Sequence, residues 1–236
     1  MTDVRPGALA FAWLGALLFA TSLAVFFHAY FVTFGRPAAA GPWLRDALFN
    51  LGLFSVFALH HSVLARASVK AWMSRIVSPA LERPVYVWTA SILLIGVCLL
   101  WRPLPGELYV VRGPLAVLLV GLQIAAIVMT ICASASVGVL DLAGVGPLLR
   151  ARSENHVPLR TTGLYGIVRH PLYFAWFILV FSAPHMTMTR VVFAVVSTAY
   201  LALAIPFEER GLISAFGDGY RSYRRKVRWR MLPGLY

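Results

Sequence analysis

The sequence predicts an all-α protein, a polytopic membrane helical bundle with about six membrane-embedded helices and amphipathic helices on its cytoplasmic side. Three observations predict it. The 236 residues are 60% hydrophobic, with a mean hydropathy of +0.77, and only 13% are charged, far from the soluble globular norm. The apolar residues fall into runs of the length that crosses a bilayer, roughly 20 residues. No long polar segment remains to build a soluble domain, so residues 1–236 read as one integral membrane domain.

The elements follow in order. Ala8 to Phe34 provides the first span. Its apolar run is too long for the h-region of a cleaved signal peptide, although Ala38-Ala39-Ala40 loosely resembles a cleavage site, and it reads as a retained helix. Ala47 to Ala65 gives a second span, Val85 to Trp101 a third and Leu115 to Val139 a fourth. Leu172 to Ala183 is short and is followed at once by Val191 to Ile205, with Ala183-Pro184-His185 as a breaker, so the last two form a helical hairpin. The tail from Phe207 to Arg230 places Leu212, Ile213, Phe216, Tyr220, Tyr223 and Val227 at mixed three- and four-residue spacings, interrupted by Gly217-Asp218-Gly219. It reads as two short amphipathic helices lying on the membrane. Ala67 to Leu81 reads as similarly interfacial.

Charge orients this bundle. With six crossings both termini share one side, and with the N-terminus inside, the inner segments hold Arg5, Arg66, Lys70, Arg75, Arg83, Arg150, Arg152, Arg160, Arg169 and the basic run up to Arg230. The outer segments hold only Arg36, Arg45, Arg102, Arg112 and Arg190. This asymmetry predicts cytoplasmic N- and C-termini. The net charge of +12 then reflects topology and attraction to anionic headgroups of the lipid bilayer; without a soluble basic module, nucleic acid is not a partner. Cys98 and Cys132 lie deep in spans without a metal-type spacing and read as small core residues.

Polar groups gather at the cytoplasmic ends of the spans: His60 and His61, Asp141, Arg169-His170, and Glu208-Glu209. Ionisable residues at such depth are functional candidates, because burial costs several kcal/mol unless they are paired. In Arg169-His170-Pro171 the proline suits the first helical position, and the helix start then offers N–H groups and a positive dipole end to a carboxylate or phosphate. Gly163 and Gly166 let the backbone turn closely, and Tyr165 and Tyr173 provide flat surfaces for a planar ligand. The alternative is an Arg/Tyr anchor that fixes helix depth. Glu208 and Glu209 point about 100° apart on a helix, so both cannot pair with one arginine; either Arg210 neutralises one in a salt-bridged helix end, or the pair holds a cation or the hydroxyls of a ligand. The adjacent His60-His61 pair suits a shared metal poorly, since the side chains diverge, and no metal centre is expected.

The order Leu159-Arg160-Thr161-Thr162-Gly163-Leu164-Tyr165, Val168-Arg169-His170-Pro171-Leu172-Tyr173, Glu208-Glu209 and Phe216-Gly217-Asp218-Gly219-Tyr220-Arg221-Ser222-Tyr223 resembles the C-terminal signature of the isoprenylcysteine carboxyl methyltransferase and phospholipid methyltransferase superfamily. Within it, His61-Ser62-Val63-Leu64-Ala65-Arg66, Glu82-Arg83-Pro84-Val85-Tyr86-Val87, Trp101-Arg102-Pro103 and Asp141-Leu142-Ala143-Gly144 extend the similarity to the bacterial methanethiol S-methyltransferases, over roughly residues 50–230. The resemblance implies a bacterial inner-membrane enzyme with S-adenosylmethionine as methyl donor, bound at the cytoplasmic face by the part spanning 141–230. It places Tyr165, Arg169, His170, Pro171, Tyr173, Glu208 and Glu209 at the donor, and the loop that holds Asp141 toward the acceptor. From their position His60 and His61 either line the acceptor entrance or are histidines hydrogen-bonded within the bundle.

The expected reaction is methylation of a small or lipophilic thiol, with carboxyl O-methylation, phospholipid N-methylation, and a non-enzymatic membrane subunit or transporter as alternatives. Arg169 is expected to favour the thiolate, with His170 or Glu209 as proton acceptor. The chain departs from the family pattern at Gly138-Val139-Leu140, where an Asn-His pair is usual, at Val145-Gly146-Pro147, where Arg-Gln is usual, and at Lys226-Val227-Arg228, where the superfamily commonly has Val-Pro.

Overall fold

The structure, a computed structural model, describes residues 6–64, 69, 72, 75–78, 80–149 and 159–236. Much of the expected interfacial stretch from Ala67 to Leu81 lies outside the described residues, as do Arg5, Arg66, Lys70, Arg150 and Arg152. The chain divides into two compact units, Met1–Pro105 with Gly138–Asn155, and Gly106–Val137 with His156–Tyr236.

In the first unit, α1 (Pro6–His28) ends in a π-turn (Ala29–Thr33) and packs along α3 (Glu82–Leu100), as does α2 (Trp43–Leu64). Lipid offers no hydrogen bonds, so polar groups in such helices must find protein partners. The Trp88 indole donates to the Phe11 carbonyl at 3.0 Å and its ring stacks on Phe11. Only glycine fits opposite: a Cβ at Gly15 would lie 2.8 Å from Trp88 Nε1. At the other end of α3, the Asn50 side chain exchanges two 2.8 Å bonds with the backbone of Arg102, whose guanidinium meets Asp46 at 2.9 Å. Two short helices, α5 (Val139–Leu142) and α6 (Gly146–Leu149), also belong to this unit.

The second unit holds β1 (Glu107–Val110), α4 (Pro114–Val137), a 3₁₀ turn (Gly163–Gly166), α7 (Pro171–Phe181), β2 (His185–Thr187), α8 (Met188–Phe216) and α9 (Asp218–Lys226). The helix α4 packs on α7, and buried Gln123 donates to the Leu179 carbonyl in its last turn. The breaker between α7 and α8 is more than a turn, since His185–Thr187 pairs antiparallel with Glu107–Val110. Thr187 then caps α8, its hydroxyl accepting from the Arg190 N–H.

Among the described residues four helices are long and apolar enough to cross a membrane: Pro6–Thr33, Glu82–Leu100, Pro114–Val137 and Met188–Phe216. The protein is thus an all-α integral membrane protein. Of the other two expected spans, α7 is shorter, and α2 carries Arg45, Asp46, His60 and His61. The last span is longer than Val191 to Ile205. It runs unbroken through Pro206 to Phe216, so Glu208 and Glu209 sit inside α8 and the first expected tail helix is its continuation. Gly217, at φ +57°, breaks the chain into α9.

Candidate active site

The site is built where α7 begins. Pro171 takes the first helical position behind His170. The N–H groups expected to await an anion are largely occupied. Arg169 N–H donates to the Trp229 carbonyl at 3.0 Å, His170 N–H to that of Arg230 at 2.8 Å, and the Tyr173 and Phe174 N–H groups to the His170 carbonyl. Carbonyls of the tail thus take the two N–H groups that lead into the helix, those of Arg169 and His170.

Arg169 also turns inward. Its Nε donates to Glu209 Oε1 at 2.5 Å, and its Nη1 to the carbonyls of Val227 and Arg228 at 2.7 and 2.8 Å. The two side chains are 5% and 3% exposed. Tyr220 adds a hydroxyl donor to Glu209 at 3.3 Å, and the Nε atoms of Arg224 and Arg230 stand 3.7 Å from Oε2. So dense a set of partners is what lets a charge pair persist with little exposure to water. Arg210, the neighbour able to neutralise a glutamate, instead lies over the Phe207 ring.

Glu208 is different. One residue further round the helix, its side chain is 49% exposed. Its Oε2 accepts from the Tyr173 hydroxyl at 3.0 Å and lies 3.2 Å from His170 Nδ1. The imidazole stacks on Tyr173, with centroids 5.4 Å apart. His170 Nε2 is 3.7 Å from Glu209 Oε1, beyond hydrogen-bond reach, and has no hydrogen-bond partner among the described residues. Burial alone lowers the His170 pKa, but the carboxylates of Glu208 and Glu209 outweigh it and raise the value above that of an ordinary histidine.

Tyr165 joins this group through the 3₁₀ turn that Gly163 opens at φ +65°. Its carbonyl accepts from the Tyr223 hydroxyl at 2.6 Å, and its own hydroxyl bonds Ser136. Tyr220, Tyr223 and Val227 form the buried face of α9 against Leu159, Tyr165, Leu212, Ile213 and Phe216. Burial pushes the Tyr223 hydroxyl up to about 12. The sequence pattern marks Tyr220 and Tyr223 as apolar helix positions and misses their polar ends, which brace Glu209 and Tyr165.

His60 and Asp141 belong to the first unit. His60 stacks on Tyr86, and its ring nitrogens are buried with no hydrogen-bond partner among the described residues; the side chain of His61 lies outside the described residues. The Asp141 carboxylate is folded onto its own loop. A Cβ at Gly146 would lie 1.9 Å from its Oδ1, and one at Gly138 2.7 Å from its Oδ2. Gly138 and Gly146 therefore leave the room that the aspartate fills.

The chain is 36% identical over 205 residues to methanethiol S-methyltransferase 2 of Bradyrhizobium diazoefficiens, covering 86% of this chain and 78% of that one. The chain belongs to the methanethiol S-methyltransferase family. The methanethiol S-methyltransferase of Mycobacterium tuberculosis is 34% identical over 194 residues, 80% of each chain. The wider superfamily appears in a protein-S-isoprenylcysteine O-methyltransferase of Dictyostelium discoideum, 34% identical over 88 residues and 36% of each chain. No family model matches the chain, and no solved structure matches it. Family membership makes the protein a membrane methyltransferase, an enzyme that draws on a methyl donor.

Proposed function

We propose that the protein is an S-adenosylmethionine-dependent thiol S-methyltransferase of the methanethiol type, working at the cytoplasmic face of a bacterial inner membrane, with residues 141–230 forming the donor-binding catalytic part. The observation that carries the donor assignment is Glu208, a half-exposed carboxylate beside a stacked His170–Tyr173 pair. A carboxylate open on one side suits an ammonium or ribose hydroxyls, and a flat stacked edge suits a planar base, so these residues fit the donor. When bound, S-adenosylmethionine supplies an electrophilic methyl group on a sulfonium, for in-line transfer to a thiolate.

The residues then divide the work. Glu208, Tyr173 and Tyr165 bind. His170, its Nδ1 against Glu208 and its Nε2 unpartnered, accepts the thiol proton at Nε2; a raised imidazole pKa brings the base closer to a thiol of about 8.5. Arg169 and Glu209 act as positioning residues, because each uses its polar atoms on the other and on the tail. Pro171 fixes where α7 starts. His60, His61 and Asp141 belong to the acceptor side in this reading, with Asp141 acting through loop shape.

Calorimetry of the protein in nanodiscs should show S-adenosylmethionine binding, weakened at least tenfold in Glu208→Gln. A panel of methanethiol, longer thiols, prenylated cysteine and phosphatidylethanolamine with labelled donor should show transfer to thiols. Absence of donor binding by the unmutated protein sinks the enzyme reading; transfer only to the prenylated carboxylate or the lipid amine replaces the thiol.

A further inference from the structure

A cavity of about 670 Å³ opens beside the site, and its walls are cationic: Arg169, Arg221, Arg224, Arg225, Arg228 and Arg230 all line it. The fold forces this concentration. Tyr220, Tyr223 and Val227 must face α8 to bury their rings and methyls, so the remaining positions of α9 and the irregular segment after it turn their arginines the other way. Acid is scarce there. Glu209 is committed to Arg169, with Arg224 and Arg230 each 3.7 Å from its other oxygen, and exposed Asp218 pairs with Arg221 at 2.8 Å. Arg225 and Arg228 meet no carboxylate among the described residues. The aromatic edges of Trp229 and Tyr236 complete the lining.

We infer that this cavity binds the phosphate of an anionic membrane phospholipid. Guanidinium groups hold phosphate oxygens in bidentate fashion, and tryptophan and tyrosine prefer the headgroup level. The helix α9 begins directly after Gly217, where the span Met188–Phe216 ends, so the arginines stand at the membrane edge, where basic pockets recognise anionic headgroups. A methyl donor whose sulfonium and ammonium outweigh its single carboxylate is a poor occupant for so positive a cavity. The lipid site is therefore distinct from the Glu208 side of the site and independent of which acceptor is methylated.

Native mass spectrometry in detergent tests it, with phosphatidylglycerol against phosphatidylcholine. Phosphatidylglycerol should bind at least about tenfold more tightly, and Arg225→Gln with Arg228→Gln should lower that affinity roughly 10- to 30-fold, while Arg225→Lys with Arg228→Lys retains most of it. Donor affinity by calorimetry should stay within about twofold throughout. Equal binding of the two lipids, or full phosphatidylglycerol binding in the glutamine variant, overturns the inference. Displacement of the lipid by millimolar inorganic phosphate reassigns the cavity to a soluble anion, and displacement by S-adenosylmethionine returns it to the donor. If the glutamine variant does not fold, the lipid comparison and the lysine variant decide. Lipid selectivity without donor binding leaves this inference standing and removes the proposed function instead.

Discussion

Arg169 and Glu209 form a closed pair inside the second unit, joined Nε to Oε1 at 2.5 Å and shielded from solvent on both sides. Glu208 stays half open. Two adjacent glutamates therefore have separable roles.

Glu209→Gln leaves a guanidinium buried without its counter-charge and should lower unfolding free energy by about 3–5 kcal/mol, read as a lower thermal midpoint in detergent. Glu208→Gln should change stability by less than about 1 kcal/mol while weakening donor binding. Equal stability losses in the two variants count against this division.

The histidine predicts a pH response. The folded-state pKa of His170 lies above its unfolded value, so the folded protein binds more protons and stability falls as pH rises through that region. The stabilisation is complete below about pH 6.5 and is lost as pH climbs past the raised value. Methyl transfer should rise over the same window, as Nε2 becomes free to accept a proton. Thermal midpoints from pH 6 to 9 should slope downward, and His170→Asn should flatten that slope; an upward slope contradicts the assignment.

Gly146→Ala should destabilise the first unit by about 1–3 kcal/mol, because the new Cβ meets the Asp141 carboxylate and its backbone nitrogen. Adding Asp141→Ala should restore part of the loss, a coupling that a double-mutant cycle measures. Additive losses argue that the two do not compete for one space.

Gly217→Ala places a side chain at φ +57°, ψ −128°, a region almost reserved for glycine, and should cost about 1–3 kcal/mol. Limited proteolysis should then cut more readily between α8 and α9.

Much of this was legible in the residues themselves. Long apolar runs announce α1, α3, α4 and α8, and Arg169, His170, Glu208 and Glu209 stand out because charge is expensive in such a chain. Partner choice was not legible. Arg210 is adjacent to Glu209, yet the partner is Arg169, supplied by the start of α7. The Trp229 and Arg230 carbonyls that occupy the start of α7 leave no trace in side-chain pattern, since every residue carries a carbonyl. Pairing of His185–Thr187 with Glu107–Val110 joins segments remote in sequence, so a proline-marked turn was all that local reading could offer.

The unbroken α8 has one more consequence. From Met188 to Glu208 it climbs about 30 Å at 1.5 Å per residue, the thickness of a bilayer's hydrocarbon layer. The helix is a ruler, with its zero at the Thr187 cap and the half-open carboxylate at its far mark. A membrane thicker by a few ångströms draws that mark toward oil, and a thinner one lifts it into water.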